Sequence, residues 1–101
     1  MRAKAQNILV VLTVLLSFSC SVSKKKLTAE GGKVRILDFK KNTGCSVIDK
    51  VVGENDMDSE DLAKNHARNL AAKSGGNAIY FDEIIRNGSS IKIHSTAYQC
   101  N

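Results

Sequence analysis

Three cysteines, two histidines and one dense acidic run hold nearly all the chemistry this chain could perform. The thiols of Cys20, Cys45 and Cys100 could accept an acyl group, bind a metal or pair as a disulfide. No Cys-x-x-Cys is present, so a dithiol redox centre has no support. His66 and His94 belong to no His-Glu-x-x-His and no paired Cys/His spacing, so a metal site would have to be assembled by folding. The run from Glu54 to Asp61 invites a calcium reading. Counted from Asp56, however, the sixth and twelfth places of a calcium loop hold Asp61 and Ala67 rather than Gly and Glu. These carboxylates suit the positive end of a helix dipole instead. There is no Gly-x-Ser-x-Gly elbow, and Gly31-Gly32 and Gly75-Gly76 lack the Lys-Ser/Thr partner of a phosphate loop. No catalytic residue, metal ligand or cofactor is assigned, and the expectation is a protein that is not an enzyme.

Cys20 stands apart from the other two cysteines because of what precedes it. Arg2 and Lys4 are followed by the apolar run Ile8–Leu16, then Ser17-Phe18-Ser19, then the cysteine. That order is the charged region, apolar region and small-residue cleavage zone of a secretory signal. With a cysteine directly after the cleavage zone, it resembles a bacterial lipoprotein signal, in which residues 1–19 are removed and Cys20 is acylated. The competing reading is an ordinary secretory signal with a chance cysteine. The apolar run is about a dozen residues, short of the roughly twenty that a membrane span needs. Cys45 and Cys100 then form an even pair in an exported chain, which reads first as a disulfide.

The formal charge of +5 is unevenly spread. Arg2 and Lys4 lie in the leader, and Lys24, Lys25 and Lys26 lie just after Cys20. From Lys33 onward ten basic side chains face nine acidic ones. No basic stripe interleaves with aromatic residues, so nucleic acid is not an expected partner. Three lysines also fall short of the four to eight usual for a lipid-recognising cluster.

Three segments follow from this: a signal at 1–19, a lipidated tether at 20–32 and an α/β domain at 33–101. The tether is polar, ends in Gly31-Gly32 and has no hydrophobic period. A first strand is expected over Val34–Lys40, then turn chemistry at Lys41-Asn42-Thr43-Gly44. A second strand, Cys45–Val52, should stop at Gly53. One helix follows, capped by Asp58, with Asp61 at its third position and Met57 packing on Leu62. Its buried face comprises Leu62, His66, Ala67, Leu70, Ala71 and Ser74. Glu60 and Lys64 pair across one turn, and Gly75-Gly76 ends the helix. The last third is a β-hairpin, Asn77–Ile85 and Ser90–Cys100. With Asn87-Gly88 at the tip, Ile84 faces Ile91 and Glu83 faces Lys92. The fold class is α+β: a small ββαββ domain, one helix on a mostly antiparallel sheet, braced by one disulfide.

Several stretches together resemble a group of small bacterial envelope lipoproteins. They are Cys20, Gly44-Cys45, the passage Ala67-Arg68-Asn69-Leu70-Ala71-Ala72-Lys73-Ser74-Gly75-Gly76-Asn77-Ala78-Ile79, and the ending Ala97-Tyr98-Gln99-Cys100. The relative with a known role in that group is the outer-membrane sensor lipoprotein of the Rcs stress phosphorelay. The resemblance implies a periplasmic, non-enzymatic domain with a disulfide-braced core. The Rcs sensor carries two disulfides and a long Pro-rich tether; this chain can make one disulfide and contains no proline. Ser21, after the acylated cysteine, looks like a residue permitting transfer to the outer membrane.

The resulting expectation is a bacterial envelope protein, lipid-anchored at the outer membrane and facing the periplasm. Its partners are the membrane, through the anchor, and another envelope protein, in stress sensing or signalling. The alternatives are a structural lipoprotein and a small-ligand or metal binder using Tyr80, His94 and Tyr98.

Overall fold

The structure, a computed structural model, describes residues 22–24, 26–40 and 43–101. The leader, Cys20, and Lys41-Asn42 of the expected turn lie outside the described residues. The elements are a short helix α1 (Ala29–Gly32), strands β1 (Arg35–Ile36) and β2 (Cys45–Asn55), helix α2 (Glu60–Lys73), and strands β3 (Ala78–Asn87) and β4 (Ser90–Cys100). The four strands form one sheet in the order β1-β3-β4-β2. β4 pairs antiparallel with both β2 and β3, while β1 adds a short parallel edge to β3. The α+β class with one main helix on a mostly antiparallel sheet is therefore what the chain adopts, and Cys45 is bonded to Cys100.

Helix α2 forms because its ends are chemically marked. Ser59, not Asp58, is the N-cap, and its hydroxyl accepts from Leu62 N–H. Asp58 sits one place earlier with φ +54, a turn geometry that Asp tolerates. Met57 is 55% exposed, so the expected packing against Leu62 does not organise the entry. At the other end Gly75 takes φ +90, Gly75 N–H donates to Ala72 O, and Gly76 N–H donates to Ala71 O. This is the double bond of a Schellman cap, which needs a residue without strain at positive φ.

The helix buries Ala63, Ala67 and Ala71 completely, along with His66 and Asn69. These small side chains let it sit close on β2. A Cβ on Gly53 would stand 2.7 Å from both the nitrogen and the Cβ of Ala67. Gly53 does not stop the strand, as its type alone suggests. The strand runs through it to Asn55 because the missing side chain is what admits the helix.

Two bulges set which side chains share a face. Register shifts between Val47 and Asp49 on β2 and between Phe81 and Glu83 on β3, leaving Ile48 and Asp82 as extra residues. One inserted residue moves everything beyond it to the other face. Ile79 and Phe81 therefore share the helix-side core with Ile91 and Ile93, while Ile85, beyond the bulge, falls on the other face opposite Lys92. The hairpin register also differs from the expected one. Ile84 opposes Ile93, Ile85 opposes Lys92, Glu83 opposes His94, and Asn87 opposes Ser90. The tip is thus Gly88-Ser89, with φ +64 at Gly88 only. A turn with positive φ at its first central position favours glycine there, which draws the tip one residue past Asn87-Gly88. Ser89 O also accepts from Asp58 N–H at 2.8 Å, fixing the tip to the helix entry.

Gly53→Ala is expected to lower stability by roughly 1–3 kcal/mol, the usual cost of overpacking a filled contact. Urea denaturation followed by circular dichroism checks it, and an unchanged midpoint would show that α2 can lift without cost.

Candidate interaction surface

Helix α2 covers one face of the sheet and leaves the other open. On β4, Ile91, Ile93 and Ala97 are buried in the helix-side clusters. The alternate residues Lys92, His94, Thr96, Tyr98 and Cys100 belong to the open face, opposite Val52 and Lys50 of β2 and Tyr80 and Glu83 of β3. One end of this face is filled. Ala78, Tyr98 and Cys100 form a buried cluster against which Leu37, Cys45 and Tyr80 pack. The chain leaving β1 at one edge of the sheet must reach β2 at the other, and Leu37 on that connection covers Tyr98 on the way.

The middle of the open face is polar, and the bulge at Asp82 makes it so. Thr96 Oγ1 donates to Asp82 Oδ2 at 2.6 Å and accepts from Lys50 Nζ at 2.6 Å. Lys40, from the crossing connection, lies 3.0 Å from Asp82 Oδ1, close enough for an ion pair but without the alignment of a hydrogen bond. Partial burial pushes the Asp82 carboxyl up, but the Thr96 hydroxyl and the two ammonium groups outweigh it and hold it below its ordinary range. A cleft of about 360 Å³ opens here, lined by Lys40, Lys50, Val52, Asp82 and His94 among others. Toward the hairpin tip, Ile85 is 43% exposed, across the strand from Lys92.

Cys45 and Cys100 are brought together as expected, directly opposite each other at the end of the β2–β4 ladder. Closing a loop of 55 residues is worth roughly 4 kcal/mol on the chain-entropy account. Asn77 reinforces the same corner: its Nδ2 donates to Cys100 O at 2.8 Å, and its Oδ1 accepts from Cys100 N–H at 2.7 Å. Tyr80, His94 and Tyr98 do share the open face, but Tyr98 is only 2% exposed and serves as packing. Among the described residues no three His, Cys, Asp or Glu side chains converge to hold a metal.

His66 is a structural acceptor. It is 6% exposed, and its Nδ1 accepts the Glu54 backbone N–H at 2.9 Å. Burial holds its pKa below the ordinary 6.5, against the opposing pull of the Glu54 carboxylate. Lys24 in turn pairs with Glu54 at 2.7 Å and holds that carboxyl below its usual range.

Residues 22–24 and 26–32, whose composition reads as a loose tether, are held to the domain. Asn69, 3% exposed, donates from Nδ2 to Ser23 O at 3.0 Å and to Lys26 O at 2.8 Å. Its Oδ1 accepts from Thr28 N–H at 2.9 Å and from the Thr28 hydroxyl at 3.0 Å. Thr28 then caps α1, accepting from Gly31 N–H. Arg68, on the other flank of α2, donates to Val34 O at 2.8 Å. Composition misses this docking because the partners on the segment are mostly main-chain groups. The Asp82 bulge, by contrast, leaves a signal: Ile79 and Phe81 predict an apolar residue at position 83, and it appears at Ile84.

Comparison with known protein families, curated proteins and solved structures finds no match to this chain.

With its folded pKa depressed, His66 is protonated more readily in the unfolded chain. Stability therefore rises with pH through the window just below 6.5 and is lost as pH falls toward the folded value. The expected outcome is a Tm that drops between about pH 7 and about pH 5, with a shallower drop in His66→Gln. Parallel slopes in thermal melts of the two proteins would assign the acid sensitivity elsewhere.

Proposed function

We propose that this chain is a lipid-anchored protein of the bacterial cell envelope, held at the outer membrane through Cys20. Its small non-enzymatic domain faces the periplasm and binds another envelope component, in the manner of the Rcs-related lipoproteins it resembles. The observation that carries this reading is the Cys45–Cys100 bond. A structural disulfide belongs to an oxidising compartment, so the domain suits export. The bond also accounts for two of the three cysteines. The one left over stands directly after the cleavage zone of the leader, where acylation uses a thiol. Each buried methylene of an acyl chain is worth about 0.8 kcal/mol, so lasting attachment takes more than one chain.

Partner binding is supported by the open face. Val52 and Ile85 are exposed there on either side of β4, beside Lys50, Lys92 and Glu83, so apolar and charged side chains flank the polar centre at Asp82. Stress signalling would be one use of such a surface.

The test is the intact mass of protein purified from bacterial membranes, before and after reduction and alkylation. A chain that starts at Cys20, carries acyl mass and takes up two alkyl groups only after reduction is the expected result. A soluble chain without lipid, or one alkylated freely at Cys45 and Cys100, would remove the basis of the reading. A photo-cross-linking residue in place of Ile85 should give one discrete adduct in intact cells, and no adduct would count against a partner on that face.

A further inference from the structure

How an anchor at Cys20 would hold the domain depends on the segment that follows it, and the inference below rests on the lipid-anchored reading. The chain joins the domain almost at once. Asn69 fixes the carbonyls of Ser23 and Lys26 and the N–H of Thr28, and Lys24 reaches Glu54. Gly31 packs so closely on Asn69 that no side chain fits between them. Asn69 stands two residues from both Ala67 and Ala71, which face the sheet, so the collar of residues 23–24 and 26–32 that it holds lies on the opposite side of α2, where Val22, Thr28 and Glu30 line one cleft with Ala72 and Lys73.

From Cys20 to Ser23 an extended chain covers at most about 11 Å. A diacylglycerol on the Cys20 sulfur places that residue at the level of the headgroups, a layer about 5–8 Å deep on each side of the hydrocarbon. The collar therefore cannot stand clear of the bilayer by more than about one such layer. The geometry points to a domain apposed to the membrane, with the collar and outer flank of α2 against phospholipid headgroups and the open sheet face turned away. Charge agrees with this orientation. Glu30 holds Lys33 at 3.6 Å, and Glu54, on the β2 edge opposite Lys92, holds Lys24 at 2.7 Å, which leaves Asp56 as the exposed carboxylate next to Lys24. Lys26 and Lys73, both exposed, add positive charge on that side. The Asp82 cluster and Ile85 lie on the opposite face, directed to whatever the domain meets in the periplasm.

The test uses the lipidated protein purified from membranes and reconstituted in vesicles of phosphatidylethanolamine and phosphatidylglycerol. Lysines are acetylated with a water-soluble reagent, and each rate is normalised to the protein released by detergent. Lys26 and Lys73 should react several-fold more slowly in vesicles, while Lys50 and Lys92 keep their rates. In Asn69→Asp, which replaces the two amide donors by a carboxylate facing two carbonyls, the protection of Lys26 and Lys73 should be lost with the acyl mass retained. Equal rates at all four lysines, or protection of Lys50 and Lys92, would overturn the orientation while leaving the anchor intact. A purified chain without acyl mass would overturn the anchor itself, and the orientation with it.

Discussion

The close seat of α2 on the sheet is the constraint from which the rest of the structure follows. Ala63, Ala67 and Ala71 face β2 where Gly53 offers no side chain, so helix and strand backbones approach nearly to contact. Such an approach leaves few atoms between the layers. Among the described residues, the largest fully buried side chains are Tyr98, Ile79, Ile91, Ile93 and Val34, a thin core even for a small domain. Fixed links must then contribute more of the stability. The Cys45–Cys100 bond closes one end of the β2–β4 ladder, and Asn77 ties the same end with two hydrogen bonds to Cys100. Arg68 holds Val34 at the entry to β1, and His66 holds Glu54 on β2. Arg68 and His66 each reach from the helix to main chain on another element. That is what a layer too thin to interlock through large side chains requires.

The bulges follow from the same geometry. β4 pairs on both sides, and each neighbour carries one extra residue, opposite Ala97-Tyr98 on β2 and opposite His94-Ser95 on β3. A bulge increases local twist, which lets a short sheet wrap under a helix lying this near. The bulge on β3 also puts Asp82 where Thr96 and two lysines reach it. A carboxylate at a regular position would have to face either the helix-side core or open solvent. Held at the bulge, it is half-covered and charge-compensated, so the polar centre of the open face is a by-product of how the sheet bends.

How much of this is legible in the chain depends on which atoms make each contact. Helix α2 and its glycine stop, the hairpin strands and the cysteine pair are specified by side-chain type, and they are readable as such. The hairpin tip is misread by one residue because Asn87-Gly88 and Gly88-Ser89 are both acceptable turn pairs. Glycine at the first central position favours the second pair, and the bond from Asp58 N–H to Ser89 O, a contact between distant segments, holds the tip there. Gly53 looks like a strand stop because a missing side chain carries no mark of what fills the space. The docking of residues 22–24 and 26–32 is hidden for a further reason. Asn69 reads as a polar residue in a helix, and its partners are carbonyls and an N–H that any residue could supply.

A docked collar and a long tether are different physical solutions to presenting a domain at a membrane. A flexible linker lets a domain search a volume that grows with its length, at random orientation. A partner that binds it must then remove that orientational freedom, which enters directly as a cost in affinity. A collar fixed through Asn69 removes the freedom during folding instead, once, and at the expense of reach. On the lipid-anchored reading, the open face would meet a partner only within one domain's thickness of the bilayer, but in a constant attitude. The absence of proline from the chain fits this solution. A segment held by hydrogen bonds to its own domain has no need of a stiff backbone, and proline would remove the N–H that Thr28 donates to Asn69 Oδ1 or the one that Lys26 donates to Ser23 Oγ. Residues 22–24 and 26–32 thus make physical sense as a surface-laid connector rather than an extended tether.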